Sequence, residues 1–176
     1  MIWYRHADPR VPFLVESAVQ PAARWHDDGE GPFQYLSDTP DGAWAEFIRH
    51  EEIVDAEDLA TVRRALWAVA VPDDDYASPE LPDRVLTGGP ETYAACQEAA
   101  RGIRARGARG LIALAASLLP GGARGWQVDR GLVPGADRDG RTLALFGPRR
   151  DLAGWAAAGE GRPRDDLLPA VRQMRP

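Results

Sequence analysis

The stretch Arg24-Trp25-His26-Asp27-Asp28-Gly29-Glu30-Gly31-Pro32-Phe33-Gln34-Tyr35-Leu36-Ser37-Asp38-Thr39-Pro40-Asp41-Gly42-Ala43-Trp44-Ala45-Glu46 decides how this chain builds a site. It reads as a loop that carries a basic residue, a short strand over Phe33 to Ser37, and a helix start at Thr39-Pro40-Asp41 with Pro near the first helical position. Trp44, Phe47 and Ile48 fall at i, i+3 and i+4 and predict one apolar face on that helix. Glu46 lies off the apolar stripe, so it can face a cleft or solvent. The order loop, strand, helix can bring the Arg24 guanidinium and the Glu46 carboxylate to one cleft.

Working outward, Ile2 to Arg5 reads as a short aromatic-rich strand. Ala7 to Ala23, with Pro9, Pro12 and Pro21, reads as a loop with one extended piece. Asp55 to Arg64 predicts a short helix capped by Asp55, and Ala65 to Val71 an apolar strand. Pro72 to Pro90 is a polar, Pro-rich connection, and its Asp73-Asp74-Asp75 reads as a solvated turn rather than a cation site. Glu91 to Arg106 is the clearest helix, with Tyr93, Cys96, Ala100 and Ile103 on one face and Gly107 as its stop. Gly110 to Ala116 reads as a buried strand, Pro120-Gly121-Gly122 as a turn, and Trp126 to Asp129 and Thr142 to Phe146 as further strands. Asp151 to Ala158 and Arg164 to Arg172 read as closing helices within 149–173. No repeat or linker appears, so residues 1–176 are expected to form a single α+β domain with a mixed β-sheet core and flanking helices.

A length of 176 residues suits one domain with a core that needs no staples. Apolar content of 44% and charged content of 27% are those of a globular protein. The lone cysteine, Cys96, excludes an intramolecular disulfide and reads as a buried, inert thiol. The first ten residues do not read as a signal peptide, and no run of roughly eighteen apolar residues is present, which points to the cytoplasm and away from a membrane. Net charge is −6 with no basic stripe, which disfavours nucleic acid as a partner. All 21 cations are arginine, so an anion site must use Arg, a helix N-terminus or backbone amides.

Gly29, Gly31 and Gly42 form no dinucleotide fingerprint, and neither a P-loop nor a Gly-x-Ser-x-Gly elbow is present. His6, His26 and His50 lack zinc spacing, and no metal is expected. His50 ends a helix, where a cation is favourable; His26, in an acidic Gly-rich loop beside Arg24, is a candidate for function.

Arg24-Trp25, Tyr35-Leu36-Ser37 and Ala45-Glu46 resemble, in order and spacing, the signature of the RES-domain family, named for an Arg, a Glu and a Ser. His26 stands where that family has Asn. Trp3-Tyr4-Arg5 is similar to its N-terminal aromatic-Arg element, and Gly140 to Phe146 to its last apolar strand, so the resemblance spans about residues 2–147. Where the family has Pro-Ser, this chain has Leu114-Ala115, and Ser117 follows two residues later. If the strand continued, Ala115 and Ser117 would share a face.

The resemblance implies a fold similar to ADP-ribosyltransferase toxins and cleavage of the nicotinamide–ribose bond of NAD, by hydrolysis or phosphorolysis. It also implies the toxin role in a toxin–antitoxin pair, with a cognate antitoxin as partner; homo-oligomerisation stays open. NAD enters as substrate, and no separate cofactor is implied. The catalytic candidates are Glu46, Arg24 and Tyr35, and the NAD-binding candidates are Arg5, Arg24, Trp25, His26, Tyr35 and Ser117. That chemistry suits the residue types. A carboxylate stabilises an oxocarbenium ion, guanidinium forks bind a diphosphate, and aromatic rings flank a planar base. Two alternatives remain: an ADP-ribosyltransferase that modifies a protein or small molecule, and a non-catalytic ligand-binding domain of the same fold.

Overall fold

The structure is a computed structural model and describes residues 1–14, 16, 17, 19–74 and 76–174. In chain order its elements are β1 (Ile2–Ala7), β2 (Phe33–Ser37), α1 (Pro40–His50), α2 (Ala56–Thr61), β3 (Arg64–Ala70), α3 (Asp83–Leu86), α4 (Tyr93–Ala105), β4 (Gly110–Leu114), β5 (Trp126–Val128), β6 (Leu132–Pro134), β7 (Arg141–Phe146) and β8 (Ala153–Gly161). Short 3₁₀ turns cover Pro90–Thr92 and Asp165–Ala170. Six strands form one sheet in the order β4-β7-β2-β1-β3-β8, and every pairing in it is antiparallel. The expected α+β domain with a sheet core and flanking helices is therefore present, its strands pairing antiparallel throughout where a mixed sheet was expected. Among the described residues no helix is long and apolar enough to cross a membrane.

The two faces of the sheet bury different cores. Trp3, Leu36, Val69, Leu143 and Leu145 pack on one side. On the other side α1 brings Trp44, Phe47 and Ile48 against Leu59 and Leu66, as the i, i+3, i+4 pattern predicts. Further along that side, α4 packs Cys96, Ala100 and Ile103 against Leu111, Ala113 and Ala144.

One joint in the sheet makes the site. β1 and β3 pair over six residues, and β2 and β7 over five, but β1 and β2 meet only at Tyr4 and Ser37. From that rung the later half of β1 and the earlier half of β2 diverge. Arg5 spans the gap by donating from Nη1 to Gln34 Oε1. Helix α1 starts beside the rung: the Thr39 side chain caps it by accepting from Gly42 N at 2.9 Å. A Cβ at Gly42 would lie 3.1 Å from Ser37 Cβ, so a glycine lets the first turn sit against the end of β2.

Two expectations about individual elements are corrected. The closing helices expected over 149–173 are absent: Ala153–Gly161 is β8, and Asp165–Ala170 is a short 3₁₀ turn interrupted by Pro169. Alanines with high helix propensity are recruited into a strand because the free edge of β3 offers unpaired N–H and C=O groups, and Gly154, Gly159 and Gly161 weaken the helical alternative. The buried strand expected through Ala116 ends at Leu114. Ala115 N donates to Gly140 O at 2.9 Å, after which the chain turns. Asp73-Asp74-Asp75 falls partly outside the described residues, at Asp75; Asp74 forms an ion pair with Arg109 at 3.1 Å. In the expected loop 7–23, Val15 and Ala18 also lie outside them.

Candidate functional site

The diverging strands, α1 and the start of α4 enclose a cavity of about 350 Å³, within the range for small-molecule sites. Of the sequence candidates, Arg5, Arg24, Trp25, Tyr35 and Glu46 line it. Four arginines reach it in all: Arg5, Arg24, Arg49 and Arg64. Two carboxylates reach it, Asp8 and Glu46. Asp8 is committed elsewhere, 2.7 Å from Arg10, whose guanidinium holds its carboxyl well below the usual range. Glu46, with a side chain 26% exposed, lies 3.8 Å from His50 one helical turn on. The cavity is thus net positive on a chain of net charge −6.

The two buried guanidiniums are organised without carboxylates. Arg24 Nη1 donates to Val85 O and to Thr92 Oγ1, both at 3.2 Å, and Nη2 donates to Gly88 O at 2.6 Å. The Arg24 guanidinium also stands 4.9 Å from the centre of the Tyr93 ring. Arg49 donates from Nη1 to Ala116 O and from Nη2 to Gly88 O at 2.8 Å. One carbonyl, that of Gly88, therefore receives both arginines. A Cβ at Gly88 would approach Arg84 O to 2.8 Å and collide with Thr92, so the loop holds its shape only with glycine there. Burial pushes Arg49 below its ordinary value, and the Glu46 carboxylate opposes that. Among the described residues neither Arg24 nor Arg49 forms an ion pair.

The aromatic wall is fixed from behind. The Tyr35 hydroxyl accepts from Trp25 N at 3.2 Å and lies 2.8 Å from His26 Nδ1. Burial pushes the Tyr35 hydroxyl well above the usual phenol range, so it stays protonated. His26 stacks on Phe33 with ring centres 4.6 Å apart, and burial pulls it below the ordinary histidine range. A neutral His26 is thus available as the acceptor that orients Tyr35. Trp25 is almost wholly buried in the core beneath α4, so it supplies rigid wall more than open ring face.

Two candidates do not reach the cavity. His26 lies behind Tyr35, because the loop from Ala23 to His26 folds back on itself through Ala23 N and His26 O at 2.9 Å. Ser117 sits in the turn after β4, fully buried, its Oγ without a hydrogen-bond partner. The end of β4 at Leu114 removes the shared face that would have aligned it with Ala115. Hydroxyl-bearing residues do line the cavity, at Ser37 on β2 and at Thr142, its partner on β7.

Arg49, His6, Arg64 and Tyr93 were not singled out for the site from sequence. Arg49 had a readable signal, since it follows Glu46 by three residues on one helix. His6 packs edge-on against Phe47, ring centres 5.1 Å apart, and burial together with Arg64 and Arg5 brings it down to about 3. Among the described residues no cluster of three His, Cys, Asp or Glu is placed to hold a metal. The Cys96 thiol is buried, and burial pushes it up, as its sequence position suggested.

The assembled site offers fixed cations beside an apolar pocket and, besides the Asp8 carboxylate held by Arg10, one carboxylate at its wall, Glu46. It can bind a dianionic ligand with a planar ring and stabilise positive charge that develops next to Glu46. Residues 2–154 match the family described as RES domain. Among solved structures, the fold is similar to a chain in the crystal structure of the M. tuberculosis MbcT–MbcA toxin–antitoxin complex. The TM-score is 0.57 at 15% identity, over 96% of this chain and 86% of that one. No curated protein matches the sequence.

Proposed function

This chain belongs to the RES-domain family, and from that premise we propose that its cavity binds NAD and that it cleaves the nicotinamide–ribose bond. The observation that carries the reading is the convergence of Arg5, Arg24 and Arg49 with Glu46 on one cavity, the two buried arginines paired with carbonyls and not with carboxylates. The diphosphate supplies the missing negative charge. Glu46 faces the ribose, and the nicotinamide leaves with the electron pair of the broken C–N bond. The carboxylate stabilises the oxocarbenium ion until water or phosphate adds to the anomeric carbon. Tyr35, held by Trp25 N and His26, walls the ring.

Similarity to a chain of a toxin–antitoxin complex supports a role as the toxin of such a pair, restrained by a cognate antitoxin. The test is to incubate the purified protein with NAD, with and without phosphate, and identify products by mass. Free nicotinamide with ADP-ribose marks hydrolysis; an added phosphate on the ADP-ribose marks phosphorolysis. No nicotinamide after hours at high protein concentration, phosphate present, overturns the reading.

A further inference from the structure

The residues beyond the family match, from 155 on, contribute to the site. Leu167 and Val171 are buried with Phe47 and Ile48 under α1. Leu119 N donates to Ala170 O at 2.8 Å, and Arg172 N to Ser117 O at 2.8 Å. Arg172 Nη2 donates to Leu118 O at 3.3 Å, and Gln173 Nε2 to Ile53 O at 3.1 Å. These bonds bring the chain to the end of α1, whose last turns carry Glu46, Arg49 and His50. The next residue, Met174, lines the cavity. It is partly buried and belongs to none of the three core clusters. Among the described residues the anchors of this segment lie at 170–173, and Met174 is not one of them.

We propose that Met174 is a specificity-determining wall residue, whose thioether packs on the planar ring of the ligand at the Glu46 end of the cavity. This rests on the reading of the ligand as NAD. An unbranched thioether suits the place: it adapts to a ring that arrives and leaves, and sulfur contacts aromatic edges favourably.

The experiment compares wild type with Met174→Ala, Met174→Leu and Met174→Trp. Melting temperatures should agree across the set. Met174→Ala should raise the KM for NAD about three- to tenfold, the scale of one lost sulfur–aromatic contact, and leave kcat within about twofold, the mark of lost ground-state binding. Met174→Leu should recover most of the KM, and Met174→Trp should abolish nicotinamide release by filling the place of that ring, while ADP-ribose, which lacks the ring, still binds. The same proteins are titrated with anilinonaphthalene sulfonate, an anionic aromatic dye that suits an arginine-lined apolar cavity whatever its natural ligand. If wild type neither turns over NAD nor binds ADP-ribose, the NAD reading fails and the dye decides: weaker dye binding in the Trp variant upholds the wall, and equal binding overturns it. If wild type is active, unchanged KM in the Ala variant together with intact NAD turnover in the Trp variant overturns the proposal.

Discussion

Arg49 and Arg149 are each 2% exposed, but their surroundings are opposite. Arg149 is ion-paired two residues along the chain: Nε and Nη2 each donate to Asp151 at 2.9 Å, and that carboxylate raises the arginine above its ordinary value. Arg49 donates to two backbone carbonyls, and burial lowers it. A buried charge without a counter-charge is costly unless a ligand supplies one, whereas a paired one already has its counter-charge. The contrast separates a structural arginine from one held ready for an anion, at equal burial.

The largest expected effect tests the other half of the site. Glu46→Gln should cost about 3 kcal/mol of barrier, roughly a hundredfold in nicotinamide release, with the circular dichroism spectrum unchanged. Loss of the folded spectrum would make Glu46 structural.

Next, Arg49→Met should weaken ADP-ribose binding by about 2 kcal/mol, the scale of a lost charge-assisted hydrogen bond. Stability without ligand should stay within about 1 kcal/mol, because an uncompensated buried charge is removed together with its bonds. Arg149→Met should do the reverse. Stability should fall by about 1–2 kcal/mol, less than for a fully buried pair because Asp151 reaches water, while ADP-ribose binding holds. Urea titrations and calorimetry on both variants check the exchange; equal losses of binding would erase the distinction.

A smaller effect concerns pH. His6 has its proton affinity lowered on folding, from 6.5 to about 3. Its contribution is therefore flat above pH 6.5, where both states are neutral, and stability falls as pH drops below 6.5 toward 3, where the unfolded chain alone binds the proton. Burial acts on His26 in the same direction. For the partly exposed His6 ring the loss should be about 1 kcal/mol by roughly pH 5, and His6→Gln should flatten that slope in denaturant midpoints taken across the range.

The smallest effect is at Ser117. Its Oγ is buried without a partner and away from the cavity, so Ser117→Ala should leave turnover unchanged and alter stability by no more than about 1 kcal/mol, in the stabilising direction. A sharp loss of turnover with folding intact would return Ser117 to the site.

How far the sequence could be read followed the range of the forces involved. Thr39-Pro40, the Trp44, Phe47, Ile48 stripe and the off-stripe Glu46 are local, and α1 forms as they predict. β2 and α4 were legible for the same reason. Arg24 and Glu46 could be paired as candidates because one short loop–strand–helix unit holds both.

What lay beyond that unit depended on neighbours distant in sequence. β8 became a strand because β3 had an open edge, against the helical preference of its alanines. His26 turned behind Tyr35, and Ser117 left the cavity when β4 ended at Leu114. The shared acceptor at Gly88, the unpaired state of Arg49 and the arrival of Met174 were decided by tertiary contacts. By itself the sequence determined which local elements form and which charged groups they carry, since periodicity, caps and turns act within a few residues. The tertiary structure alone decided which of those groups face one another, because burial and hydrogen-bond completion are settled between segments that meet only when the chain has closed.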